Sequence, residues 1–154
     1  MQAETQGPAE TRALGREVGK RLQLGDVVVV AGALGVGKTV FAQGVGDGLD
    51  LREAVTSPTY TVVATHRDGR LPLVHVDLYR LHGAADLDSI DWDGLFDEPA
   101  IVVVEWPERA GDRLPPDHLW VRLDDGGGDR RTIVMSANGK RAGRIMRDLG
   151  ASRA

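Results

Sequence analysis

VVVVAGALGVGKTVFAQGV, residues 27–45, decides how this chain folds. Val27 to Ala31 reads as a buried strand, and it runs into Gly32-Ala33-Leu34-Gly35-Val36-Gly37-Lys38-Thr39 and then a helix-forming stretch. That octet satisfies G-x-x-x-x-G-K-[ST] in the strand–loop–helix context that a phosphate-binding loop requires. Glycines at 32, 35 and 37 let the backbone curl so that successive N–H groups converge on one oxyanion. The helix opening at Lys38 adds its positive end. Lys38 is expected to reach the β- and γ-phosphates of a nucleotide and to act in catalysis, and the Thr39 hydroxyl to ligate Mg²⁺. The alternative is a glycine-rich turn that binds nothing; the flanking strand and helix weigh against it.

Two acids stand at the ends of apolar strands, Asp77 after LVHV and Glu105 after IVVV. A nucleotide hydrolase needs an acid at a strand end near the loop, to hold Mg²⁺ or to orient water. Strand C-termini line the ligand crevice of open α/β sheets. Glu105 follows the stronger strand and is favoured as the Mg²⁺-side acid. Asp77 is then a second acid, for water or for the metal shell. Ser57-Pro58-Thr59, between the helix and the next strand, reads either as a γ-phosphate-sensing switch or as a plain proline turn. Trp106 reads as a contact for a base or partner, or as core. His66, His75, His82 and His118 show no metal spacing and are assigned no ligand or base role.

At 154 residues the chain is one domain in expectation, large enough for a core and too small for two substantial ones. A net charge of −4 argues against a protein that coats duplex DNA. The absence of cysteine excludes disulfides and cysteine-ligated metals. With no long apolar run and no signal-peptide profile in MQAETQGPAETR, the expected compartment is the cytoplasm.

Along the chain, residues 1–10 and 151–154 are expected to be frayed. Thr11 is a candidate cap for a helix reaching Leu22, with Leu14, Val18 and Leu22 on one face. After the loop, Val40, Phe41, Val45 and Leu49 form the buried side of the next helix. Thr61–Thr65 and Leu73–Val76 flank an Asp68-Gly69 turn and predict a hairpin, so the sheet is mixed. Short helices are expected near Ala84–Ile90 and Trp92–Phe96, and a strand over Ile101–Val104. A second hairpin over Leu119–Leu123 and Thr132–Ala137 precedes a basic helix, Lys140–Leu149. The fold class predicted is α/β, a single P-loop NTPase domain with a parallel core, added antiparallel strands and flanking helices.

GALGVGKT (32–39), VTSPTYTVV (55–63), HVDLYRL (75–81) and VVEWPE (103–108), with the Leu114-Pro115 that follows, together resemble the TsaE (YjeE) family. These are small bacterial ATPases of the threonylcarbamoyl modification of adenosine 37 in tRNA. The likeness runs from about Thr11 to Leu123, and its later motifs are far more specific than the loop. It implies ATP and Mg²⁺ binding by Gly37, Lys38 and Thr39, a switch at Ser57-Pro58-Thr59, and functional acids at Asp77 and Glu105 beside Trp106. It implies TsaB and TsaD as partners, tRNA reached through their complex, and weak intrinsic hydrolysis. Ala33 departs from the family's usual Asp, and Asp91 from a frequent glycine, which puts the conformation around residue 91 in question. The basic helix lies beyond the signature.

Two other readings compete. A small metabolite kinase would need an arginine-bearing lid, for which Glu108–Arg113 offers two arginines. A nucleotide-dependent binding module would hydrolyse only incidentally. A guanine-specific GTPase is disfavoured, since Asn138-Gly139-Lys140-Arg141 is not N-K-x-D.

Overall fold

Residues 2–5 form a strand, where a frayed end was expected. The computed structural model describes residues 1–55 and 62–153. Strand β1 (Gln2–Thr5) pairs antiparallel with residues 131–134, and the Met1 ammonium donates to the Met135 carbonyl at 2.9 Å. Only Thr5 of these four residues is buried, so the segment carries no apolar signal; distant pairing makes it a strand. Helix α1 (Pro8–Gly19) starts earlier than expected because Pro8 suits a first helical position. Thr11 is therefore inside the helix and not its cap; its hydroxyl meets that of Thr5 at 2.7 Å. The remaining elements are β2 (Val27–Gly32), α2 (Lys38–Gly48), β3 (Val63–His66), β4 (Leu73–Asp77), β5 (Ile101–Glu105), β6 (His118–Asp125), β7 (Arg131–Asn138) and α3 (Lys140–Arg153). The predicted short helices are 3₁₀ segments at Ala84–Ile90 and Asp93–Phe96. Helix α3 continues through Arg153, so residues 151–153 are helical where fraying was expected.

One seven-stranded sheet runs in the order β1-β7-β6-β2-β5-β4-β3. β6, β2, β5 and β4 are mutually parallel, while β3, β7 and β1 are added antiparallel, the mixed sheet the hairpin signals predict. The valine run serves both faces through strand alternation. Val28 and Val30 join Leu14, Val18, Phe41 and Val45 in the helical layer. Val27 and Val29 pack with Val74, Val76, Leu87, Trp92 and Val104 on the other face. The same parity puts Leu73, Ile101 and Val103 on the helical side. His75, Asp77 and Glu105 fall in that series.

Helices α1 and α2 approach unusually closely, because glycines face each other across the crossing. A Cβ at Gly15 would lie 2.3 Å from the Phe41 carbonyl oxygen, and one at Gly19 equally close to that of Val45. From the other side, a Cβ at Gly44 would lie 2.1 Å from the Arg12 carbonyl, and one at Gly48 2.4 Å from that of Arg16. Arg12 clamps the crossing with a bidentate pair to Asp47, at 2.6 and 3.0 Å. Being half-exposed, that pair adds little stability itself.

The basic helix α3 is tied to the base of the sheet. Arg144 reaches the fully buried Asp26 at 2.6 Å, and Arg141 lies 3.5 Å from its other oxygen. Two of the four cations on the expected basic face are thus committed to a buried acid. Asp117 caps the helix from the preceding loop, accepting the N–H groups of Arg141 at 2.9 Å and Ala142 at 3.0 Å. Burial pushes the Asp117 carboxyl up, but those two donors together with nearby positive charge, Arg141 foremost, hold it below the usual range. The Asp117 contribution is present above the ordinary carboxylate pKa and is lost as pH falls through the depressed value. Asp117→Asn is expected to cost about 1 kcal/mol in urea unfolding at neutral pH, and less in acid. An equal loss at both pH values would rule out the charged cap.

Asp91 ends the Ala84–Ile90 segment with φ 52° and ψ 53°. Glycine is favoured in that left-handed conformation because it carries no Cβ penalty, and Asp is among the few other residues that visit it. The turn therefore survives the departure from the family pattern.

Candidate functional site

The glycine loop leaves β2 at Gly32, whose φ of 147° is accompanied by tight surroundings: a Cβ there would meet the Leu123 carbonyl at 2.6 Å. It ends at Gly37, the residue before α2, with φ 111° and ψ 20°. Between them Leu34 projects into solvent and Val36 is buried. The Val36 carbonyl accepts Arg131 Nε at 2.8 Å, so the start of β7 braces the loop from the side. A curled loop at the N-terminus of an 11-residue helix is an arrangement that can hold an anion.

Lys38 opens α2 and is only 4% exposed. Its Nζ donates to the carbonyls of Gly32 at 2.8 Å and Ala33 at 2.7 Å, and lies 4.2 Å from the centre of the Trp106 ring. Burial lowers the Lys38 pKa below the lysine range, against the charges of Glu105, Asp77 and Glu108, which raise it. A buried lysine with a lowered pKa beside strand-end acids marks a candidate functional site. Trp106 takes a left-handed backbone, φ 60° and ψ 50°, which is strained for a bulky residue. That turn brings its ring against Lys38 and, at 5.1 Å, against Tyr79.

Register brings the acids together. β4 and β5 are parallel with Asp77 opposite Glu105, one strand away from the loop's own strand. Glu105 is 2% exposed and accepts the Thr39 hydroxyl at 3.1 and 3.3 Å, joining residues 66 apart in sequence. Asp77 Oδ1 accepts the Tyr79 N–H at 3.0 Å. Below them His75, fully buried, meets Glu105 Oε2 through Nε2 at 2.6 Å. Against a carboxylate His75 Nε2 is the donor, and among the described residues its buried Nδ1 has no hydrogen-bond partner. Leu34, Lys38, Thr39, Asp77, Glu105 and Trp106 line one cleft. A second cleft on the other side of the loop is lined by Pro8, Thr11, Val40, Asp129 and Arg131.

Gly32 to Thr39, Asp77, Glu105 and Trp106 therefore stand together, while Ser57, Pro58 and Thr59 lie outside the described residues. His75, assigned no role from sequence, is in contact with Glu105; strand alternation, which puts residues 75 and 77 on one face, was the available signal. Nothing local marks Arg131. Arg109 donates to the Leu81 carbonyl, and Arg113 pairs with Asp88 and Asp93, so both arginines of the expected lid segment have structural partners. Asn138 pairs with His118, at the opposite end of β6 from Leu123, which adjoins Gly32.

Among the described residues no group of three or more His, Asp or Glu side chains has metal-holding geometry. One carboxylate and one hydroxyl suit Mg²⁺, which keeps several waters and shares phosphate oxygens, better than a metal needing an all-protein cage. No described helix is long and apolar enough to cross a membrane.

Comparison with known proteins agrees on one family. Residues 5–133 match the family described as Threonylcarbamoyl adenosine biosynthesis protein TsaE. The tRNA threonylcarbamoyladenosine biosynthesis protein TsaE of Streptomyces coelicolor is 41% identical over 84% of this chain and 92% of its own. The protein of the same name from Bacillus subtilis is 33% identical over 94% and 90%. The crystal structure of Bacillus subtilis YdiB superposes with a TM-score of 0.84 at 29% identity, covering 100% of this chain and 96% of the other.

Proposed function

The chain belongs to the TsaE family of tRNA threonylcarbamoyladenosine biosynthesis, and from that premise we propose that it binds and hydrolyses ATP with Mg²⁺ to serve the TsaB–TsaD pair. The observation that carries the reading is the Thr39–Glu105 contact beside a buried, partly desolvated Lys38. The N–H groups of Gly35 to Thr39 bind the phosphates, and Lys38 leaves the Gly32 and Ala33 carbonyls to donate to the terminal ones. Thr39 and Glu105 would hold the metal, with His75 fixing the Glu105 carboxylate. Mg²⁺ supplies charge neutralisation on the phosphate oxygens. Asp77, on the neighbouring strand end, orients the attacking water or the metal's waters. Trp106 shields Lys38 from solvent and contacts the nucleotide or the partner. The reaction takes place in the cytoplasm, and tRNA is met through the complex.

A kinase would need an acceptor pocket and free lid arginines, and the structural engagement of Arg109 and Arg113 weighs against one. Phosphate release by the purified chain, alone and with TsaB–TsaD, tests the proposal. Slow release that the pair strongly stimulates is expected. Glu105→Gln should keep ADP binding measurable and lower stimulated turnover about a hundredfold, a magnitude usual for losing one electrostatic group. Normal turnover in that variant would remove Glu105 from the mechanism. A fast rate indifferent to the partners would reopen the kinase reading, and ATP binding without hydrolysis would favour a binding module.

A further inference from the structure

Arg131 has no part in the chemistry above, yet its guanidinium is heavily engaged beside the loop. Its Nε donates to the Val36 carbonyl at 2.8 Å, and Nη1 donates to the carbonyls of Gly128 at 2.7 Å and Arg130 at 2.8 Å. Asp125 lies 3.5 Å from Nη1, and the side chain is 19% exposed. The guanidinium thus ties the glycine loop to the tip of the β6–β7 hairpin. Val36 is fixed from two further directions: its side chain is in the core and its N–H bonds the Ala33 carbonyl at 3.2 Å.

We propose that Arg131 is a positioning residue of the nucleotide site, acting by holding the Val36–Gly37 peptide plane. This rests on the nucleotide reading above. In a trans peptide the C=O and the following N–H point in opposite directions, and the described chain has no cis bond. Holding the Val36 carbonyl toward β7 therefore aims the Gly37 N–H away from β7, to the phosphate side. Gly37 tolerates either orientation of that plane because it has no Cβ, so the loop itself does not choose. A planar guanidinium can grip the loop and the hairpin together, which a lysine ammonium cannot do with the same geometry.

The test is titration of the unaltered chain, Arg131→Gln, Arg131→Lys and Arg130→Gln with ADP and, separately, with inorganic pyrophosphate, alongside thermal unfolding without ligand. The expected result is a loss of about tenfold for both ligands in Arg131→Gln, with a smaller loss in Arg131→Lys and none in Arg130→Gln. Equal affinities in the unaltered chain and Arg131→Gln overturn the inference while leaving the nucleotide reading intact. A loss confined to ADP also overturns it, because the hairpin would then be touching the nucleoside and not setting the phosphate cradle. If Arg131→Gln does not fold, Arg131→Lys carries the same outcomes. Failure of the unaltered chain to bind ADP overturns the nucleotide reading and this inference with it.

Discussion

Lys38→Ala is expected to weaken ADP binding by at least about a hundredfold, the loss of two charge-assisted hydrogen bonds. The same substitution should change ligand-free stability only modestly, because loss of the bonds to the Gly32 and Ala33 carbonyls is partly offset by relief of the burial penalty. Lys38 is bonded to the Gly32 and Ala33 carbonyls and lies against Trp106, yet burial still holds its pKa below the lysine range. The folded chain therefore holds that proton less tightly than the unfolded chain. The penalty is complete below the depressed pKa and vanishes as pH rises past lysine's ordinary 10.5. Alanine removes the penalty along with the bonds. Calorimetric titration with ADP and thermal unfolding of the same sample separate the two effects. An unchanged ADP affinity would remove Lys38 from the nucleotide site; a large fall in melting temperature would make Lys38 a structural residue instead.

Gly44→Ala is expected to destabilise the protein by about 3 kcal/mol, although helix propensity alone predicts a gain of about 1 kcal/mol. The sign is decided by a new Cβ that would lie 2.1 Å from the Arg12 carbonyl and 3.0 Å from the Arg16 nitrogen, both backbone atoms of α1. Relief requires the helices to move apart, opening the contact where Phe41 and Val45 pack with Leu14 and Val18. Gly143→Ala in α3 is the counterpart: its Cβ would meet only the end of the Arg147 side chain, at 3.4 Å. There propensity should win, with a gain of about 0.5 kcal/mol. Urea unfolding of both variants gives opposite shifts in midpoint if packing rules at Gly44. A stabilised Gly44→Ala would mean that α1 is free to shift. Since α2 carries Lys38 and Thr39 in its first turn, α1 also sets where those two side chains stand.

Most of the scaffold was legible because its signals are local. The valine run, the glycine octet, the hairpin turn at Asp68-Gly69 and the strand ending in Glu105 each lie within a short window of chain. β1 escaped notice because an edge strand of Gln2–Thr5 has one buried residue and depends on β7 for its existence. Thr11 looked like a cap by type, but Pro8 starts α1 before it. The basic helix α3 was legible from its composition, but not that Asp26 takes up two of its arginines.

The sequence by itself determined the family, the mixed α/β class, and which residue types converge: a loop lysine, the threonine after it, and acids at strand ends. Only the tertiary structure decided that Glu105 is the acid bonded to Thr39, with Asp77 beside it on the next strand. It alone set His75 beneath Glu105, Arg131 against Val36, and two glycine faces against each other. The physical reason is range. Periodicity and turn chemistry act over a few residues, whereas these contacts arise from strand register and helix approach between segments 26 to 95 residues apart, as from Gly15–Phe41 to Val36–Arg131.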